Sequence, residues 1–376
     1  MATSKGRLRA FLALVVGATL ALSACGGATQ SGEEANKSQT KEAKTSGKIA
    51  FLLPENKTAR YEAADRPGFV NRMKEICPDC TIDYKNANQQ ADLQQQQADA
   101  ALTNGADVLV IDPVDSEAAA KIVDKAKGQN VPVLSYERLI LNSEPDWYIS
   151  FDNVKVGEEQ ATSLLAKLDD LGTTKKGEIV MINGSPTDNN AKLFKQGAHS
   201  VLDGKVKIGK EYDTPEWSPD NAQKQMDQAI TALGKDKIVG VYAANDGTAG
   251  GAIAAMKKAG FDLGQVPVTG QDAEVAGLQR VVAGEQYMTI YKPIMDEAAK
   301  AADIAYDLLQ QKTPEKQADT ENGGKAKIPS TFLPVKAVTV DNLQDTVLAD
   351  KWISYKDLCA GQYAADCKKA GIKDAA

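Results

Sequence analysis

The stretch DVLVIDPVDSEAAAKIVDKAKGQNVPVLSY, residues 107–136, decides the fold. DVLVID is a short, uninterrupted apolar run rich in β-branched residues, the pattern of a strand buried on both faces. SEAAAKIVDKAKG then reads as a helix and VPVLSY as a second buried strand. Two strands joined through a helix pair in parallel, because a crossover of that length is what brings the chain back to the end where the first strand began. Upstream, KIAFLL, a helix near Ala64 to Ile76, TIDY and a helix around DLQQQQADAALTNG repeat the rhythm. The resulting βαβαβαβ order predicts a parallel sheet covered by helices on both faces.

A second series starts after the FDN at residues 151–153. It runs through a helix near Gly157 to Leu168, GEIVMI, a helix from Asn190, KVKIGKEY, a helix from Pro219, KIVGVYAA, a helix from Gly250, and VPVTG. The same rhythm twice predicts an α/β protein of two doubly wound, Rossmann-like parallel-sheet domains, and 376 residues with 43% hydrophobic content supply core enough for both. The late elements, which include QYMTIY, a long helix from Pro293 and a segment ending in FLPVKAVTV, are too few for a third domain. They are expected to return to the first two sheets, giving one lobe of residues 48–151 plus 273–328 and another of 152–272 plus 329–376. A chain that crosses between lobes several times makes a hinge with a cleft.

The first residues predict export. Lys5, Arg7 and Arg9 precede an apolar run from Ala10 to Leu22, too short to span a bilayer but suited to a signal peptide over residues 1–24. Leu22-Ser23-Ala24-Cys25 resembles the bacterial lipobox, so Cys25 is the expected lipid attachment point; the plain alternative is an ordinary signal peptide with an incidental cysteine. Residues 26–47, without an aromatic residue or any Val, Leu or Ile, read as a flexible tether. The expected location is therefore extracytoplasmic, on the outer face of the cell membrane, held through the lipid alone.

Assigning Cys25 to lipid leaves Cys77, Cys80, Cys359 and Cys367, for which two local disulfides are the economical expectation. A redox role for Cys77-Pro78-Asp79-Cys80 would want its first cysteine at a helix N-terminus, whereas Cys77 follows the helical pattern PGFVNRMKEI. Zinc lacks ligands, since the second cysteine pair has no knuckle spacing and His199 is the only histidine. No metal or other cofactor is expected. Loss of three basic residues with the leader takes 44 basic residues to 41 against 51 acidic ones, a charge of −10. Such a body repels nucleic acid and anionic lipid.

In open parallel sheets, ligands bind beyond the carboxyl ends of the strands. The polar residues in those places are Glu137-Arg138, Asp152-Asn153, Asn189-Asn190, Asn245-Asp246, Gln271-Asp272 and Lys292. The loop ANDGTAGGAI, residues 244–253, follows a strand with glycines but matches neither the P-loop nor the dinucleotide pattern. A carboxylate at Asp246 would also repel a phosphate drawn to the helix N-terminus, so Asp246 is read as an N-cap, as a ligand in the cleft, or as both. No nucleophile stands with a base, because His199 lies within the helical run NAKLFKQGAHSVL; no catalytic residue is assigned. Glu137, Asp152 and Asp246 could notionally form a glycosidase pair, but nothing separates that from binding. Neutral polyhydroxylated ligands suit the inventory, with carboxylates accepting, Arg and Lys donating, and rings such as Tyr61 and Trp217 stacking. For Trp217, partial burial beside a turn is the competing reading.

The words YISFDNVKVGEEQA, NGSPTDNNAKLFKQGA, AANDGTAGGAIAAM, TGQDAEVAGLQR and MTIYKPI resemble the D-xylose-binding branch of the type I periplasmic sugar-binding proteins that serve bacterial ABC importers. The resemblance runs from about Lys48 to Asp345. It implies lobes joined by three crossover segments that close on one sugar, here D-xylose first, with arabinose, glucose, galactose or ribose as alternatives. It places Arg60, Tyr61, Glu137, Arg138, Asp152, Asn190, Trp217, Asn221, Asp246 and Gln271 in the site, with Asn153 and Lys292 beside them. The chain departs from the family in having Glu137 where an aspartate precedes the arginine, and Tyr61 in place of tryptophan. The implied partners are the sugar and the transmembrane subunits of a permease, with the binding protein a monomer and not an enzyme. A sugar-responsive repressor of the same core would carry a helix-turn-helix instead of a leader, and an exported glycan-cleaving enzyme would turn over aryl glycosides.

Overall fold

The computed structural model describes residues 43–374. The expected leader, Cys25 and the tether up to residue 42 lie outside the described residues.

Twelve strands are described: β1 Lys48–Leu53, β2 Thr81–Asn86, β3 Val108–Ile111, β4 Val133–Tyr136, β5 Trp147–Phe151, β6 Glu178–Asn183, β7 Lys207–Asp213, β8 Ile238–Ala243, β9 Met288–Tyr291, β10 Ala318–Thr320, β11 Ile328–Leu333 and β12 Lys336–Thr339. The first sheet has the order β10-β11-β5-β4-β3-β1-β2. Its strands are parallel except β10, which runs antiparallel to β11. Every residue of β3, β4 and β5 is buried, as their unalternating sequences require. One face of this sheet packs on the helices Arg66–Ile76 and Ile294–Leu309 through Phe51, Phe69, Met73, Ala298 and Ala305. The other face packs on Ala91–Thr103 and Ala120–Gly128 through Leu52, Ala98, Leu109 and Ile122.

The second sheet is built the same way, with β7-β6-β8 parallel. The helices Asn153–Asp170 and Asn189–Leu202 cover one face, and Pro219–Leu233 and Asp246–Lys258 cover the other. Of the glycines in ANDGTAGGAI, Gly251 is the one with no room for a side chain. A Cβ there would lie 2.1 Å from the Pro219 carbonyl oxygen, so it lets two helices touch backbone to backbone. VPVTG forms no regular strand; single bridges at Val268 and Gln271 join β8 to β9, and β9 pairs antiparallel with β12.

That pairing moves the expected lobe boundaries. The strand Met288–Tyr291, assigned from sequence to the 273–328 segment of the first lobe, pairs instead with β12 in a two-stranded ladder that Val268 and Gln271 bridge to the second sheet. A four-residue apolar strand suits either sheet, and its partners alone decide. Conversely, β11 extends the first sheet to Leu333, beyond the expected limit at residue 328. The chain thus passes between the two sheets three times, after Phe151, after Tyr291 and after Leu333.

Cys77 is bonded to Cys80 just past the end of the helix Arg66–Ile76, and Cys359 to Cys367 inside the apolar cluster that closes the C-terminal segment against Leu278, Val338 and Val347. Among the described residues, no helix is long and apolar enough to cross a membrane.

Candidate functional site

The carboxyl ends of the strands of both sheets converge on one narrow cavity. The first sheet lines it with Thr58, Arg60 and Tyr61 beyond β1 and Glu137 and Arg138 beyond β4, while Lys292 follows β9. From the second come Asp188, Phe194, Trp217, Asn245, Gln271 and Asp272. Arg60 sits where the chain enters a π-helical turn, Tyr61–Asp65, and folds back so that Nε and Nη2 grip Asp65 at 2.9 and 2.7 Å. Its Nη1 donates to Glu137 Oε1 at 3.1 Å and its Nη2 to Glu297 at 3.1 Å. Arg138 donates to the Tyr61 hydroxyl at 2.9 Å and pairs through Nε with Asp188 Oδ2 at 2.9 Å and Asp112 at 3.4 Å. Lys292 Nζ lies 3.0 Å from Asp272 and 3.3 Å from Glu137.

Three buried cations therefore face six buried carboxyls, Asp65, Asp112, Glu137, Asp188, Asp272 and Glu297. That imbalance works against ionising every one of them at once. Burial raises the Asp112 and Glu297 carboxyls well above the ordinary range, and raises Asp188, with Arg138 and Arg60 opposing it. Burial also raises Glu137, but Lys292, Arg60 and Arg138 outweigh it and hold this carboxyl at about 2. Gln271 Oε1 is buried and accepts no hydrogen bond from the described residues, leaving an open acceptor on a cavity residue. Three non-glycine wall residues hold left-handed backbone, Glu137 at φ 58°, Trp217 at 53° and Asp272 at 91°. Such strain persists only where neighbours enforce it. The Glu137 carbonyl is held by Ser150 Oγ at 2.6 Å and Asn190 Nδ2 at 3.1 Å. The Trp217 ring fits because residue 184 is glycine, where a Cβ would come within 2.1 Å of it, and its Nε1 donates to Asp188 at 3.0 Å.

Residues 49–313 match the model of the family described as periplasmic binding protein domain. The chain belongs to the periplasmic binding protein family. It is 38% identical over 309 residues to a D-xylose-binding periplasmic protein of Escherichia coli, covering 81% of this chain and 90% of that one. A multiple sugar-binding periplasmic receptor of Rhizobium radiobacter is 32% identical over 323 residues, with 80% and 89% covered. Among solved structures, a carbohydrate transporter solute-binding protein of Chloroflexus aurantiacus in complex with D-glucose superposes with a TM-score of 0.74 at 27% identity, covering 82% of this chain and 97% of that one. The type I fold of this family, two parallel α/β sheets joined by three crossings, is the fold described above.

In this periplasmic binding protein, seven of the twelve residues expected at the site, Arg60, Tyr61, Glu137, Arg138, Trp217, Gln271 and Lys292, line the cavity. Asn190 stands behind the wall, donating to Glu137 Oε2 at 3.2 Å, and Asn153 stands behind Asn190 at 2.9 Å. Three expected ligands lie elsewhere. Asp152 is exposed and caps the helix Asn153–Asp170 by accepting from Lys155 N. Asn221 is turned to the Pro215 carbonyl, where it braces the start of its own helix. Asp246 is fully buried away from the cavity. Its carboxylate accepts from Gln286 Nε2 at 2.6 Å, Thr289 Oγ1 at 3.0 Å and Glu274 N at 2.9 Å. The N-cap there is Asn245, in a capping box with Thr248, so the residue one place earlier reaches the cavity.

Thr58, Asp188, Phe194, Asn245 and Asp272, outside the expected ligands, also line the cavity. Asn245 and Asp272 stood in the inspected dipeptides, and only the choice within each pair was open. Asp188 carried a signal in SPTDNN, where an aspartate capping a helix keeps a second oxygen free; here that oxygen meets Arg138 and Trp217. His199 is a helix-surface residue bonded to Asp203 and Glu211. Among the described residues, no group of His, Cys, Asp and Glu is arranged to hold a metal.

Proposed function

We propose that this protein is a lipid-anchored receptor of an ABC importer that encloses one monosaccharide, D-xylose in the first instance, and presents it to the permease. The observation that carries the reading is the cavity wall itself, in which Arg60, Arg138 and Lys292 alternate with Glu137, Asp188 and Asp272 beside Tyr61, Trp217 and Phe194. A sugar hydroxyl donates and accepts at once, so it inserts between such a cation and carboxylate and satisfies both. The rings offer apolar faces to its C–H bonds. A wrong epimer would leave buried charged groups unpaired, which makes such a site selective. The xylose assignment draws on the 38% identity to proteins named for that sugar, and the multiple sugar-binding relative at 32% keeps glucose, galactose, arabinose and ribose in the panel.

Calorimetric titration of the purified protein with pentoses and hexoses tests the reading. Saturable binding of a pentose, tightest for D-xylose, is expected, and no saturable binding below the millimolar range overturns it. The lipid anchor is read from Leu22-Ser23-Ala24-Cys25. Expression in a lipoprotein-processing bacterium with labelled palmitate should mark the wild-type protein and not Cys25→Ser, and equal labelling would remove Cys25 from that role. Residues 48–151 with 292–333 would form one ligand-binding lobe, and residues 152–291 with 336–374 the other. The monomeric state is read by light scattering.

A further inference from the structure

One residue outside the cavity wall on each side, the two bodies are tied together. Lys57 precedes the wall residue Thr58 in the first body, and Glu216 precedes the wall residue Trp217 in the second; their side chains form an ion pair across the mouth. Gln89 of the first body donates to the Glu216 carbonyl at 3.1 Å. Glu216 and Trp217 are consecutive residues in left-handed backbone, at φ 60° and 53°. Two such residues in succession are costly and need outside contacts to hold them. The turn that carries the tryptophan is thus gripped, at its backbone carbonyl and its side chain, by residues of the opposite body. None of Lys57, Gln89 or Glu216 lines the cavity.

We propose that Glu216 is a closure-sensing positioning residue: when the bodies close, Lys57 and Gln89 seize the turn at Glu216 and fix the Trp217 ring against the bound ligand. When they part, both holds are lost together and the turn keeps only its contacts within the second body, among them Trp217 to Asp188 and Asn221 to the Pro215 carbonyl. The pair is half-exposed on both sides, so its strength lies in the modest range of surface ion pairs and falls with salt. This gives a neutral ligand a salt-dependent affinity, because salt acts on the bond between the bodies and not on the sugar. An exposed cross-body pair, Lys192–Glu117 at 3.6 Å, adds a smaller share of the same sign.

The proposal rests on the monosaccharide reading of the cavity, and the test separates the two. Sugar binding is measured by titration and by stopped-flow tryptophan fluorescence at several salt concentrations, for wild type, Glu216→Gln, Lys57→Met and the exchanged pair Lys57→Glu with Glu216→Lys, all checked for unchanged Tm. The expected result is a two- to fivefold loss of affinity in each single variant, about what a surface pair is worth. The loss should fall in the off-rate, the salt dependence should flatten, and the exchanged pair should recover both. Single variants that bind like wild type, or an exchanged pair as weak as the singles, overturn the latch. If the wild-type protein binds no monosaccharide, the functional reading fails; the latch is then read by small-angle scattering, where wild type and Glu216→Gln equally compact at low salt would overturn it.

Discussion

Arg138 Nε and Asp188 Oδ2 lie 2.9 Å apart, a buried arginine of the first body neutralised by a buried carboxyl of the second. A pair placed so ties the two bodies together at the cavity wall. Asp188→Asn keeps one acceptor oxygen, enough for either the Asn190 amide or Trp217 Nε1 but not both, and removes the charge that Arg138 faces. Sugar affinity should fall by about one to two orders of magnitude, the worth of one charge-assisted hydrogen bond. Titration at neutral pH reads it, and an unchanged affinity would take the pair out of the binding event.

Asp246 separates an architectural carboxyl from a ligand. Asp246→Asn places an amide among three donors, and should lower Tm while leaving sugar affinity within about threefold, since one badly satisfied buried group costs roughly 1–3 kcal/mol of folding. Loss of binding with an unchanged Tm would return Asp246 to the site.

The same residue sets a pH dependence. Burial raises the Asp246 carboxyl to about 7, with Arg280 and Gln286 opposing, against roughly 3.9 in an unfolded chain. Between those values the folded chain holds more protons than the unfolded one. This group's contribution is therefore fully present below about pH 4 and drains away as pH rises through about 7. Glu274, raised by burial and by Asp246 to about 8, acts with the same sign. Urea denaturation at steps from pH 4 to 8 should show this downward component in wild type and a shallower one in Asp246→Asn. Parallel profiles would contradict it.

Lys292 holds Glu137 and Asp272 together, and Lys292→Met leaves these two buried carboxyls with Arg60, at 3.1 and 3.8 Å, as the one cation between them. Breaking one side of such a cluster costs about 3–5 kcal/mol. A large drop in the urea midpoint is expected, with sugar binding lost even where the variant stays folded. A midpoint within the error of wild type would mean that the cluster is not held by charge.

The Cys359–Cys367 bond closes a short loop in the cluster behind Leu278 and Val338. Replacing both cysteines by serine should cost about 2–3 kcal/mol on loop entropy and leave sugar affinity intact, since neither residue nears the cavity. Differential calorimetry reads the first and titration the second; a loss of affinity would tie the C-terminal cluster to closure.

The sheets were legible because buried parallel strands leave uninterrupted apolar runs, DVLVID and KIVGVYA among them, at helix-length intervals. What no run carries is its partner. MTIY would serve either sheet, and its place followed only from Gln271 and β12. Of the cavity wall, the sequence shows the charged strand ends but not Thr58, Asp188 or Phe194. The positions after β4 and β9 were found because Glu137, Arg138 and Lys292 carry charges that a buried loop end would not otherwise hold. At Asn245-Asp246 and Asp152-Asn153 the rule that a strand end faces the ligand meets the competing rule that a helix start wants a cap, and sequence points to the carboxylate at 246 and to both residues at 152–153. The Asp152 carboxylate caps a helix in solvent, and that of Asp246 is locked against Gln286 and Thr289.

The three passages between the sheets bear on how the molecule is made. The first sheet needs β11, residues 328–333, beside β5, residues 147–151, so no uninterrupted stretch of gene encodes either half. During synthesis β5 must wait, its free edge unpaired, until nearly the whole polypeptide has emerged. A transposon or truncation that stops the message before codon 328 would therefore leave not a working half but an exposed strand, and rearranged genes that keep both halves must keep their interleaving.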